Sequence, residues 1–96
     1  MPKGYWVATY KSVKDPARLA EYAKVASAAM EAGGAKFLAR GTAAAAYEAG
    51  IKERTVVIEF PSVEAAIKTH DSPTYQKALQ VLGDGADREI RIVEGL

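Results

Sequence analysis

The segment RTVVIEFPSVEAAIKTHDSPTYQKAL, from Arg54 to Leu79, constrains the fold more than any other stretch of this chain. Val56, Ile58 and Phe60 alternate with Thr55, Val57 and Glu59, the period of a strand, and Pro61 removes the next ladder donor and ends it. Ser62 then predicts an N-cap for a short helix through Thr69, with Val63, Ala66 and Ile67 on its apolar face. Ser72 and Pro73 repeat the cap-plus-proline device, and Tyr75, Ala78, Leu79 and Leu82 mark a further helix that stops at Gly83. A strand followed at once by two short amphipathic helices implies a sheet covered on one side.

The flanking sequence supplies the remaining elements. Tyr5 to Val13, rich in aromatic and β-branched residues, reads as a strand. Asp15 and Pro16 start a long helix whose stripe contains Leu19, Tyr22, Val25, Ala26, Ala29 and Met30 and which ends at Gly33 and Gly34. Ala35 to Arg40 reads as a second strand, with Phe37 on one face, Leu38 and Arg40 on the other, and Gly41 as the position for a bulge. The alanine run from Thr42 to Tyr47 has helical propensity but sits where a hairpin arm belongs, and is read as strand. Glu89 to Glu94 alternates Ile90 and Ile92 against Arg91 and Val93 and makes a last strand.

This order predicts one domain over residues 1–96, an α+β ferredoxin-like sandwich in which helices cover one face of a four-stranded antiparallel sheet. Apolar residues on both faces of the strands, such as Val57 opposite Ile58, leave a second face to cover, and a face-to-face homodimer is the expected lid. A 96-residue domain buries only roughly 60–65% of its unfolded surface, which adds to the case for a partner subunit.

Composition removes several classes of function. Lys plus Arg number 13 against 12 for Asp plus Glu, with no basic stripe, so nucleic acid is not an expected partner. There is no Cys and a single His, which leaves no thiol nucleophile, no disulfide framework and no metal-ligand spacing, and no cofactor motif is evident. No apolar stretch approaches the roughly 20 residues that span a bilayer, and the first residues lack a signal-like core, so the expectation is a cytoplasmic protein with no membrane partner.

Five blocks of the sequence, GYWVATYKSVKDP, AGGAKFLARG, VVIEFPSVEAA, DSPTYQ and IVEG, resemble the bacterial domain-of-unknown-function family 1330, in order from Gly4 to Gly95. The resemblance implies the dimeric α/β-barrel superfamily, in which two ferredoxin-like sheets pack face to face. It further implies activities that include cofactor-free monooxygenases, lactone isomerases, haem enzymes and plain ligand-binding regulators. Ala43 to Ala46 and His70 depart from the family's usual pattern.

Candidate site residues follow from chemistry. His70, with an ordinary pKa of about 6.5, suits proton transfer. Asp71, Ser72 and Tyr75 beside it offer hydrogen bonds, although helix capping accounts for the same residue types. Arg40 and Glu59 near strand ends, with Arg54, form a second group: an arginine fork for a carboxylate or enolate, and Glu59 as a general base, with simple ion pairing as the alternative. Tyr5, Trp6, Tyr10 and Tyr22 suit a small apolar pocket, or a core. Two functions are thereby expected: an enzyme on a small carboxylate or aromatic molecule, using His70 and Glu59 with Arg40, Ser72, Tyr75 and Tyr22 around the ligand, or a non-catalytic dimeric module that binds such a molecule.

Overall fold

The computed structural model describes residues 2–96. Its elements run β1 (Gly4–Val13), α1 (Pro16–Ala32), β2 (Lys36–Thr42), β3 (Arg54–Phe60), α2 (Val63–His70), α3 (Pro73–Leu82) and β4 (Ala86–Glu94). The strands form one antiparallel sheet in the order β2-β3-β1-β4, so the first and third strands are central and both β-α-β crossovers leave helices on the same side. The predicted ferredoxin-like α+β sandwich is therefore present.

Each helix begins where the sequence supplies an acceptor for an orphan amide. The Asp15 carboxylate accepts from the Arg18 amide at 3.1 Å, and the Ser62 hydroxyl from the Ala65 amide at 3.0 Å. The Ser72 hydroxyl accepts from the Tyr75 amide at 3.2 Å and donates to the Thr69 carbonyl at 2.7 Å, which locks the end of α2 to the start of α3. Gly34, at φ +79°, turns the chain from α1 into β2 in a conformation that other residues adopt only with strain. Gly4 is needed for a different reason: a Cβ there would lie 2.6 Å from the Ser62 carbonyl oxygen, so glycine lets β1 run against the start of α2.

The core lies between the helices and one sheet face. Trp6, Ala8 and Tyr10 from β1 and Val56, Ile58 and Phe60 from β3 are buried there against Tyr22, Ala26, Ala29 and Met30 of α1, Ala66 of α2 and Tyr75, Ala78 and Leu82 of α3. Trp6 stacks on Phe60 at 5.9 Å between ring centres and meets the edge of Tyr75 at 5.1 Å. The opposite face, with Tyr5, Val7, Thr55, Val57, Glu59, Arg91 and Val93, has no helix over it.

Three sequence expectations need correction. The run from Thr42 to Tyr47 is not a strand: β2 ends at Thr42, which pairs with Arg54, the first residue of β3. Residues 43–53 form the connection, where alanines offer neither branched side chains nor a facing strand. The β2 bulge lies at Leu38, between the pairs Phe37–Ile58 and Ala39–Val57, rather than at Gly41. Its extra residue puts Phe37 and Arg40 on the same face instead of opposite ones. Finally, β4 starts at Ala86, which brings Arg88 into the sheet opposite Tyr10.

Candidate functional site

Cross-strand register arranges the helix-side residues in rows. One row runs through Tyr10 and Arg88, with Arg54 beside Tyr10 just past the last β1–β3 pair, the next through Arg40, Val56, Ala8 and Ile90, and a third through Phe37, Ile58, Trp6 and Ile92. Above them, α1 contributes Tyr22 over the first row and Met30 toward the third, with Ala23, Ala26 and Ser27 between. All of these except Ile90 and Ile92 line a partly open cavity of about 40 Å³. A single water needs roughly 10–15 Å³, so the interior has space for about three waters, and a larger molecule extends out through the open side. Ser27, Phe37 and Arg40 are the exposed members of the lining, which places its mouth between α1 and the β2 edge strand.

The site is polar at one end and apolar at the other. At the polar end the Arg88 guanidinium donates through Nη1 to the Tyr10 hydroxyl at 2.9 Å and the Tyr22 hydroxyl at 3.1 Å, and through Nη2 to the Tyr75 hydroxyl at 3.2 Å. The Tyr22 and Tyr75 hydroxyls share a hydrogen bond of 2.6 Å. Guanidinium carbons lie 5.4 Å (Arg88) and 5.7 Å (Arg54) from the centre of the Tyr10 ring, so one aromatic ring is flanked by two cations. Arg40 lies over Phe37 at 4.8 Å. Phe37, Trp6, Met30 and Ile58 make the apolar end.

Burial pushes the Tyr75 phenol above its ordinary range, with the neighbouring Tyr22 adding to the rise and Arg88 opposing it, so Tyr75 remains a neutral donor around pH 7. Burial alone would favour a neutral Arg88. The surrounding Tyr22, Tyr75 and Tyr10 more than offset that and hold it as a cation, with its pKa above the usual arginine value.

Among the described residues, no carboxylate lines the cavity, and neither Arg40, Arg54 nor Arg88 forms an ion pair. The Arg54 Nε is buried without a hydrogen-bond partner. Three arginines, two tyrosines and an apolar wall thus converge on one small space, an arrangement suited to the oxygens of an organic acid.

Of the residues singled out from sequence, Arg40, Arg54, Trp6, Tyr10 and Tyr22 line this cavity, Tyr75 touches it through Tyr22, and Tyr5 lies on the uncovered sheet face. Ser72 lies at the α2–α3 junction in its capping role. His70 ends α2, pairs through Nδ1 with Asp71 at 3.0 Å, and rests 5.7 Å from Trp6 and 5.2 Å from Tyr75 by ring centres, outside the cavity lining. Glu59 lies on the uncovered sheet face, where its carboxylate accepts from the Tyr5 hydroxyl at 3.3 Å and from Lys3 at 3.4 Å. Arg40 and Glu59 therefore do not share a site. Arg88 is absent from the sequence candidates. Extending the Ile90–Ile92 alternation two residues back would have put it on the core face. Among the described residues no cluster of three or more His, Cys, Asp or Glu is placed to hold a metal, and no helix is long and apolar enough to cross a membrane.

Sheet order, crossovers and a pocket between helix and sheet define a ferredoxin-like α+β protein. The chain belongs to the family described as "Domain of unknown function (DUF1330)", whose model matches residues 3–96. Solved structures agree in fold. A protein of unknown function from Rhodopseudomonas palustris superposes with a TM-score of 0.78 at 15% identity, over 99% of this chain and 83% of that one. A dimeric ferredoxin-like protein of unknown function from Thermobifida fusca gives 0.63 at 18% identity, over 97% and 91%. SnoaB, a cofactor-independent oxygenase from Streptomyces nogalater, gives 0.62 at 14% identity, over 97% and 92%. At these identities the likeness is one of fold. No curated protein matches the chain in sequence.

Proposed function

We propose that the protein binds a small organic acid in the cavity between α1 and the sheet, with the carboxylate at the Arg54–Tyr10–Arg88 row and an apolar or aromatic body against Phe37, Trp6 and Met30. The observation that carries this reading is the gathering of three guanidiniums around one cavity with no carboxylate in its lining among the described residues. Arg54 and Arg88 are partly buried, so their like charges repel and lose hydration, a cost that an anion from outside the chain offsets. Arg40, Arg54, Arg88 and Tyr22 are assigned to the ligand, with Tyr75 positioning Tyr22. His70, Glu59 and Ser72 are assigned to packing, ion pairing and capping.

Benzoate and its neutral analogue benzamide test this by thermal unfolding. Benzoate should raise Tm with concentration, by the equivalent of about 2.7 kcal/mol at a hundred times its Kd, while benzamide at the same concentrations leaves Tm unchanged. Equal stabilisation by both would contradict an anion site. Recovery of a bound acid unchanged after long incubation marks a binding module, and appearance of product marks an enzyme.

The uncovered sheet face supports a homodimer as the working unit. Val7 pairs directly with Val57 and Ala39 lies beside Val57, which makes an apolar strip across β1, β3 and β2; on β4 this row ends in Arg91, and Val93 lies in the next row beside Tyr5. Val93 is 55% exposed in the single chain. A second copy related by a two-fold axis would cover the strip with the same residues. The Thermobifida fusca protein of the same fold is dimeric, which adds support. Light scattering at micromolar concentration should give twice the chain mass, and Val57→Lys should give a folded monomer. A wild-type monomer would contradict the dimer.

A further inference from the structure

The donors of the cavity fall into two groups on either side of Tyr10, and they differ in what they still lack. On the Arg88 side the guanidinium uses three protons on three phenol oxygens, and the Tyr22–Tyr75 contact uses one hydroxyl proton. The Tyr10 hydroxyl proton and the second proton of the Tyr22–Tyr75 pair remain without an acceptor among the described residues. On the Arg54 side the buried Nε has no acceptor, and Arg40 stands nearer the mouth. Arg54 and Arg88 lie on the strands either side of β1, so their backbones are separated by about two strand spacings, or roughly 10 Å. A single carboxylate offers acceptor sites at two oxygens only. Seated at either group, it leaves the other unpaired and two of the three guanidinium charges uncompensated.

We infer that the ligand is a small dicarboxylic acid on a short apolar frame, one carboxylate received by Arg54 with Arg40 and the other by Arg88 with Tyr10 and Tyr22. This specificity rests on the anion-site reading above and refines it. The two groups act at different ends of the same molecule, so removing one should abolish the preference for a second acid without abolishing binding.

Calorimetric titration with benzoate and with benzene-1,3-dicarboxylate tests the inference. The diacid should bind the wild-type protein at least about tenfold more tightly, the scale of one additional charge-assisted hydrogen bond. In Arg54→Met the two acids should bind with equal affinity, and Arg54→Lys should restore part of the ratio. Arg54 begins its strand and is only half-buried, so these variants should fold. If benzoate binds wild type as tightly as the diacid, or if the ratio survives in Arg54→Met, the dicarboxylate inference is overturned and the anion site stands. If neither acid binds at millimolar concentration, both are overturned.

Discussion

Trp6→Ala should destabilise the fold by about 3–5 kcal/mol, the range for removing a buried aromatic side chain. Trp6 is 1% exposed, at the centre of the sheet, and joins Phe60 of β3, Tyr75 of α3 and His70 of α2 through its indole ring. No neighbour can follow it into the space it leaves, because β1 is hydrogen-bonded on both edges. For a chain of this length the loss corresponds to a fall in Tm of roughly 12–40 °C. Denaturant unfolding should show a lower midpoint with an unchanged slope. A loss below about 1 kcal/mol would mean that the packing of sheet against helices is not as described.

Arg88→Met should have the largest effect on binding and a small one on stability. The substitution removes the cation that supplies three tyrosine hydroxyls with donors. Anion affinity should fall on the order of 100-fold, since hydrogen bonds to charged groups contribute about 1.5–3 kcal/mol. Stability should change by only about 1–2 kcal/mol in either direction, because the hydrogen bonds lost are offset by no longer burying a guanidinium, and methionine fills the space with an apolar chain. Tyr22 and Tyr75 keep their mutual hydrogen bond. A variant that binds benzoate like wild type, or that fails to fold, would show that Arg88 is a structural cation only.

Much of the scaffold is legible in the sequence, because local chemistry decides it. Pro61 ends β3, and Asp15, Ser62 and Ser72 cap the three helices through their own side chains, so these boundaries follow from neighbouring residues. The site is less legible, because its members meet only through register. Arg40 reaches the helix side only because the bulge at Leu38 shifts alternation by one residue, and a bulge with no glycine leaves no compositional mark. Arg88 meets Tyr10 only because β4 starts at Ala86, three residues before the Glu89 start that the alternation of Ile90 and Ile92 suggests. Conversely, His70 draws notice as the lone imidazole, yet it lies beside the core rings and pairs with the adjacent Asp71. Rarity in composition marked it out, whereas the arginines are ordinary in number and special only in placement.

A crystal structure of the protein grown with benzoate shows whether that placement makes an anion site. The carboxylate should lie between α1 and the sheet, within hydrogen-bonding distance of Arg54 or Arg88 and Tyr22, with the ring directed toward Phe37 and Met30. Benzoate bound only on the uncovered sheet face, or a saturated protein with no anion at these arginines, would contradict it.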